Sequence, residues 1–368
     1  RHSTELLSLN CLGALCAPLP GFMGGACVRT APAEELQEAV GVGQQLGQTA
    51  KPASPSSLAP VVDAAGPLSP PRESARVIDG KALADALLAE VKAEVETLVA
   101  FSRSGGSLDV GNAAMAAPPC LAVVLVGENP AASSYLKRKE EAAKACGIIT
   151  RVLRLDGAIP QERLLEEVRA LNADEAVHGI ILEMPLPAHL DTPGVVAAVA
   201  HAKDVDGLSP AHLGHVAQSG QEALFCPCTP KGCLHLIRSV GMPLRGKEAV
   251  VVGASNIVGV PMLLMLLKEG CTVSVCHIDT TNPASHARRA DILVVAVGKP
   301  GLVRGDWIKP GAIVIDVGIN LVEDPSKKSG KRIVGDVDYG EAAALASHIT
   351  PVPGGVGPMT TVDDHQGR

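Results

Sequence analysis

The sequence predicts an α/β protein with two domains, each built on a parallel sheet. Short, continuous apolar runs recur between residues 120 and 317, and helical stretches stand between them. Strands buried on both faces read as unbroken apolar runs, and helices alternating with them cover a parallel sheet on each side. The chain has 368 residues and is 46% apolar, enough for two cores and an extension.

Residues 1–75 are expected to lie outside the fold, as a disordered extension or a partial targeting segment. They are rich in Ala, Pro, Ser and Gly, hold no persistent period, and contain linker-like runs such as KPASPSSLAP and GPLSPPRES. The absence of an initial Met and this composition suggest an organelle address, plastid ahead of mitochondrion, with the cytosol left open. Glu34, Glu35 and Glu38 are unusual for such a segment.

Order is expected from about Arg76. Leu83, Leu87, Val91, Val95 and Leu98 fall on one helical face. After a Gly- and Ser-rich loop come a strand at CLAVVLVG, a helix over Ala131–Cys146, a strand at IITRVLRL, a helix at QERLLEEVRALN and a strand at HGIILEM. These make a first domain over 76–210, to which 341–368 is expected to return. A second series follows, with strands at EAVVVG, CTVSVC, DILVVAV and AIVIDV and helices between them. Residues 211–340 therefore read as a doubly wound parallel sheet of the Rossmann type.

Composition excludes several functions. A net charge of −7 does not make a nucleic-acid-binding surface, and 2% aromatics give few stacking platforms. The apolar run around VPMLLMLL is too short to span a membrane. The ten cysteines are scattered, with neither a C-x-x-C pair nor an H-E-x-x-H helix, so no metal site is expected and the thiols read as reduced.

The segment VVGASNIVGVPM, residues 251–262, follows one apolar strand and opens a helix. Gly253 suits a tight turn, and Gly259 suits a close approach of helix to strand. The middle glycine of a dinucleotide fingerprint is replaced by Ser255, which should push the phosphates outward from the helix N-terminus. The segment alone fits a nucleotide turn and an unliganded strand–turn–helix about equally. The next strand ends at CHIDTT, where Asp279 stands near the position of an acid that would bind an NAD ribose. A turn or helix-cap aspartate is the other reading.

SSYLKRK, KDVDG, PCTPKG, VVGASNIVG, DVGIN and ITPVPGGVGPMT occur in this order over Ala75–Thr361. Together they resemble the bifunctional methylenetetrahydrofolate dehydrogenase/methenyltetrahydrofolate cyclohydrolases of plant and bacterial type. The resemblance implies two α/β domains with a cleft between them, a homodimer formed through the nucleotide domain, tetrahydrofolate substrates, and NADP or NAD as cofactor. It implies oxidation of 5,10-methylenetetrahydrofolate by the nicotinamide, then hydrolysis of the methenyl product to 10-formyltetrahydrofolate.

The resemblance also implies site residues. Tyr135 would pack on the folate, and Lys139, four residues on and so on the same helix face, would act beside the bridging carbon. In the bare sequence KRKEEAAK is an ordinary charged helix surface. Asp206 would take the donor edge of the pterin, and Pro353, Gly354 and Gly355 would line the cleft in a stiff loop, 351–358, too rich in Pro and Gly for a helix. Gly253, Ala254, Ser255, Ile257, Val258, Gly259, Ile278, Asp279, Gly298 and Ile319 would hold the nucleotide.

Four departures from the family pattern matter. Glu183 stands where Gln is usual; an anion beside Lys139 favours the ammonium form and predicts a weakened cyclohydrolase step. Ala132 replaces a serine. Apolar Ala254, Val260 and Ile278 occupy positions where NADP-type members carry Arg or Ser, and a buried Asp279 would repel a 2′-phosphate, which leans the cofactor toward NAD. A long apolar helix expected after GPMT is missing from TVDDHQGR, which predicts uncovered apolar surface on the first domain. These departures keep open a second reading, a catalytically impaired paralogue that binds folate or nucleotide.

Overall fold

The computed structural model describes residues 74–103, 118–127, 130–218 and 223–366. The expected extension, residues 1–75, lies outside them except for its last two positions.

Three parallel strands make the first sheet: β2 (Cys120–Val126), β3 (Ile149–Leu155) and β4 (Gly179–Leu182), in the order β3-β2-β4. Alternate residues of β2 face opposite cores. Ala122, Val124 and Val126 join Leu164, Val168 and Leu171 of α3 (Gln161–Ala173) and Val195 of α4 (Thr192–Ala198). Leu121, Val123 and Leu125 join Val91 and Val95 of α1 (Gly80–Arg103) and Leu136, Ala143 and Cys146 of α2 (Pro130–Cys146). Both faces are dry, which is why the strand shows no polar alternation in sequence.

The second sheet has six parallel strands in the order β1-β11-β8-β7-β5-β6. They are β1 (Arg76–Val77), β5 (Glu248–Val252), β6 (Thr272–Cys276), β7 (Ile292–Val295), β8 (Ile313–Asp316) and β11 (His348–Ile349). The chain adds β6 on one side of β5 and β7 on the other, so the order reverses beside β5, as in doubly wound sheets. Ala249 and Val251 face α6 (Cys228–Ser239) and α7 (Gly259–Lys268), while Val250 and Val252 face α8 (Pro283–Ala287) and α9 (Tyr339–Ala343). An antiparallel hairpin of β9 (Asn320–Glu323) and β10 (Lys331–Val334) projects after β8. The sequence carried its signal, since NLVE and KRIV flank the turn-forming DPSKKSG.

Three expectations need correction. β1 pairs with β11, so the chain enters through the second sheet rather than the first. Helix α1 then spans both cores: Ala84 is buried with the second, Val91 and Val95 with the first, and Leu88 packs on both. A helix of 24 residues is about 36 Å long, enough to serve two sheets. The expected return of 341–368 to the first domain is corrected too: α9 and β11 belong to the second sheet, and the last helix buries its apolar residues in the core that faces α6 and α7, with a lesser contact to α2. That last helix, α10 (Val356–Gln366), was not expected. It begins inside the Pro/Gly-rich run and packs on α6, α1 and α2, burying Val356 and Met359. Pro358 falls in its first turn, where no intrahelical N–H bond is lost. Its polar sequence gave no apolar period, and tertiary contact holds it. No described helix is long and apolar enough to cross a membrane.

Candidate active site

Glu183 stands just past β4, and its N–H still donates to the Val124 carbonyl, extending the pairing with β2 (2.9 Å). Lys139 lies on α2, and its Nζ donates to Glu183 Oε2 at 3.2 Å. Both side chains are buried, 6% and 7% exposed. Glu183 Oε1 is also buried and has no hydrogen-bond partner among the described residues. A buried ion pair with an unfilled carboxylate oxygen is costly unless something else supplies a donor. The side chains of 130–135 lie outside the described residues, so Tyr135 and Ala132 are placed by backbone only, one turn and two turns before Lys139 on α2.

Asp206 is half-buried in a turn that rests on the start of α6. Cys228 Sγ lies 3.8 Å from Asp206 Oδ1. Gly207 has φ +63°, and a Cβ there would press on the backbone of Cys226 and Pro227. KDVDG and PCTPKG, far apart in sequence, therefore touch. The 353–355 loop meets the start of α1: Lys81 N–H donates to Gly354 O (3.1 Å), and a Cβ on Gly80 would overlap the Gly355 carbonyl. The Met184–Pro185 and Val352–Pro353 peptides are cis. A cavity of about 830 Å³ opens beside this loop, with Asp316, Arg332, Tyr339 and Pro351 among its walls. None of the sequence-predicted ligand residues lines it.

The nucleotide turn has the expected strand–turn–helix form. Gly253 has φ +116°, and a Cβ there would overlap the Ala296 carbonyl past β7, at the reversal of strand order. A Cβ on Gly259 would overlap the Gly253 carbonyl. Ser255 does more than narrow the approach. Its Oγ accepts from the Val258 and Gly259 N–H groups (3.2 and 3.4 Å), and its carbonyl accepts from Val260 N–H (3.0 Å). The amides that open α7 are thus already bonded within the turn. Asp279 corrects an expectation. Its side chain is 85% exposed, with His277 Nδ1 3.6 Å away, so it is not the buried carboxylate on which the leaning toward NAD rested.

Two buried aspartates tie the remaining loops together, and sequence reasoning did not single them out. Asp336 Oδ2 accepts from Val297 and Gly298 N–H (2.7 and 2.9 Å), and its Oδ1 from Asn320 Nδ2 (2.8 Å). Asp316 Oδ1 accepts from Gly318 and Asp336 N–H, and its Oδ2 from Val337 N–H, each at 2.9 Å. Burial pushes the Asp316 carboxyl up to about 6 despite these bonds. The pair thereby holds Gly298 directly and Ile319 through its neighbours Gly318 and Asn320, at two positions expected at the cofactor. The signal lay in DVGIN and GDVD, two motifs whose meeting the sequence does not state.

Four large apolar side chains stand exposed at the same sheet edge. Ile257 (47%), Ile278 (98%), Val297 (37%) and Ile319 (62%) come one each from the loops after β5, β6, β7 and β8. In open parallel sheets that edge is where ligands bind.

Comparison with known proteins agrees with this geometry. Residues 78–206 match the catalytic domain, and residues 227–363 the NAD(P)-binding domain, of tetrahydrofolate dehydrogenase/cyclohydrolase. The chain belongs to the tetrahydrofolate dehydrogenase/cyclohydrolase family. It is accordingly an enzyme with dehydrogenase and cyclohydrolase activities on tetrahydrofolates, using NAD(P). It is 48% identical over 284 residues to a chloroplastic bifunctional FolD protein of Arabidopsis thaliana, covering 77% of this chain and 75% of the relative. The crystal structure of a Campylobacter jejuni bifunctional FolD matches at 42% identity and TM-score 0.71, over 80% of this chain and 97% of that one. A Trypanosoma brucei FolD complexed with NADP and inhibitor matches at 38% identity and TM-score 0.74, over 80% and 96%. The impaired-paralogue reading gains no support from these relatives, which are described as bifunctional or as dehydrogenase-cyclohydrolase.

Proposed function

We propose that the two activities share one site, at the carboxyl edges of the two sheets, and that the buried Lys139–Glu183 pair is its acid–base centre. That pair, 3.2 Å apart with Glu183 Oε1 unfilled, carries the reading. Tyr135 packs on the pterin, Asp206 accepts from its donor edge, and Pro353, Gly354 and Gly355 close the cleft beside it. Hydride passes from the methylene carbon to the nicotinamide, which supplies the redox chemistry. Water then attacks the methenyl carbon, and the bridge opens to the 10-formyl product. Lys139 hydrogen-bonds the reacting centre and transfers the proton, and Glu183 sets how readily it does so, since an anion at this distance favours the ammonium.

The nucleotide lies on the exposed apolar ledge of Ile257, Ile278, Val297 and Ile319, against the Gly253–Gly259 turn with Ala254 and Val258. Its phosphates displace Ser255 from the amides of α7 or sit outside it. NADP serves as cofactor, supported by the NADP-bound relative and by the solvent-facing Asp279. The chain dimerises through the second domain, where Leu321 on hairpin strand β9 is 65% exposed, and it works in a plastid like its chloroplastic relative. Light scattering and a full-length fluorescent fusion test these two points.

The deciding assay follows reduced nicotinamide and the methenyl chromophore separately, with 5,10-methylenetetrahydrofolate and either nucleotide. Glu183→Gln should raise the rate of methenyl hydrolysis severalfold and leave hydride transfer nearly constant. No change in their ratio removes Glu183 from the acid–base centre. Absence of hydride transfer with both nucleotides ends the whole reading.

A further inference from the structure

Away from these residues, three imidazoles meet where the 3₁₀ turn His201–Lys203 faces α5 (Pro210–Ala217). One ligand nitrogen from each of His201, His212 and His215 lies within 4.8 Å of the others. His212 and His215 are one helical turn apart, so they share a face of α5.

His212 has no solvent exposure. Its Nε2 is 2.9 Å from the His201 carbonyl oxygen, and only a protonated Nε2 can donate there. That tautomer leaves Nδ1 as a bare lone pair. Nδ1 is buried and has no hydrogen-bond partner among the described residues. Asp204 Oδ2, 3.9 Å from the ring, adds an anion on the donor side. An imidazole with one nitrogen anchored to a carbonyl and the other unfilled is what a metal ligand looks like before its ion arrives.

We propose that His201, His212 and His215 bind one divalent transition-metal ion, of which Zn²⁺ fits best. Three neutral nitrogens with no thiol and no spare carboxylate select borderline cations over Ca²⁺ or Mg²⁺. Asp204 is already engaged, accepting from Ser209 and Leu208 N–H (2.8 and 3.4 Å). Coordination requires one movement. His201 is stacked on His212, with centroids 3.9 Å apart and planes at 19°, so their in-plane lone pairs do not converge. His201 is exposed and is free to swing off the stack, while His215 already stands edge-on to it at 79°. Tetrahedral Zn–N bonds of about 2.1 Å bring the nitrogens to roughly 3.4 Å separation, and water takes the fourth position. The bound ion would clip the turn before Asp206 to the helix after it.

The test uses the full chain after chelator treatment. Calorimetric titration with ZnSO₄ should give one ion per chain, and Co²⁺ should give the strong visible absorption of a tetrahedral site. His201→Ala and His215→Ala, both at solvent-accessible positions, should each weaken Zn²⁺ by roughly a hundredfold. Zn²⁺ should raise the melting temperature of the parent protein and not that of the double variant. Absent binding, a weak octahedral Co²⁺ spectrum, or Zn²⁺ affinity unchanged in the double variant overturns the site.

Discussion

Each domain carries a buried carboxylate in a loop, and the chain satisfies the two in opposite ways. Glu183, past β4, faces a cation, Lys139, and leaves one oxygen unfilled. Asp336, in the loop beyond β10, is also buried, and the groups that hydrogen-bond to it are neutral: two backbone amides and the Asn320 side chain. Asp316 beside it is held by three more amides. A carboxylate with both oxygens filled by backbone organises loops and has nothing left to offer a ligand. One with a titratable charge opposite and an empty acceptor can take part in an exchange of protons or hydrogen bonds. On the proposed mechanism, the contrast separates the region that reacts from the region that holds.

Removing the cation should break the first arrangement with the largest effect. Lys139→Met leaves Glu183 buried without its counter-charge, a loss of about 3–5 kcal/mol in denaturant unfolding. Methenyl hydrolysis should fall by roughly 10²–10⁴, the span of general acid–base catalysis, and hydride transfer should fall less. Adding Glu183→Gln to this variant should restore most of the stability and none of the hydrolysis. Equal stability of Lys139→Met and the parent would show that the pair is not buried in solution.

Asp336→Asn probes the second arrangement. The amide presents N–H₂ where the carboxylate accepted, so at least one donor among Val297, Gly298 and Asn320 loses its partner, at about 1–3 kcal/mol. The loop that carries Gly298 then loosens. The KM for the nucleotide should rise several-fold while the KM for the folate stays close to that of the parent. A uniform fall in kcat with both KM values unchanged would mean that Asp336 does not position the cofactor loop.

Asp316 extends the same probe to pH. Its carboxyl is raised from 3.8 to about 6, first by burial and last by the neighbouring Asp336 charge, against the pull of three N–H donors. A folded-state value above the unfolded one means that the protonated form favours folding. That contribution is complete below about pH 4 and is lost as pH rises through about 6, a change of about 3 kcal/mol. Asp316→Asn mimics the protonated form and should flatten the stability–pH profile over that window. Identical profiles for variant and parent would refute the raised value.

The fold was legible where apolar runs were continuous, because β2, β5, β7 and β8 are buried on both faces and carry no other signal. It was illegible where an element serves two cores. α1 shows one apolar stripe, and nothing in Leu83–Leu98 reveals that its two halves pack on different sheets. The short strands β1 and β11 and the polar helix α10 exist through tertiary contact rather than local pattern. At the site, the one-turn spacing of Tyr135 and Lys139 on α2 followed from helix geometry, and the tight turn at Gly253 and Gly259 from their spacing. That Glu183 would meet Lys139 came only from resemblance. Asp316 and Asp336 remained hidden, since the loops they tie are joined by the fold and not by the sequence. His212 and His215 share a helix face that spacing could have found, while the approach of His201 to them could not be read from it.

The smallest expected effect sharpens the comparison at its edge. Asp279 is the fourth carboxylate of this comparison and the only one of the four in solvent, 85% exposed beside His277. Had it been buried, its charge would have opposed a 2′-phosphate in low dielectric and fixed the choice of NAD. In water the same charge is screened within about 8–10 Å by physiological salt, and exposed pairs are worth roughly 0–1 kcal/mol. Asp279→Asn should therefore shift the ratio of kcat/KM for NADP over NAD upward by no more than about fivefold. The shift should shrink as ionic strength rises, because only the screened part of the interaction is being changed. A hundredfold shift that persists in high salt would place this carboxylate against the ribose in the bound complex, and with it the selectivity that the free protein leaves open to solvent.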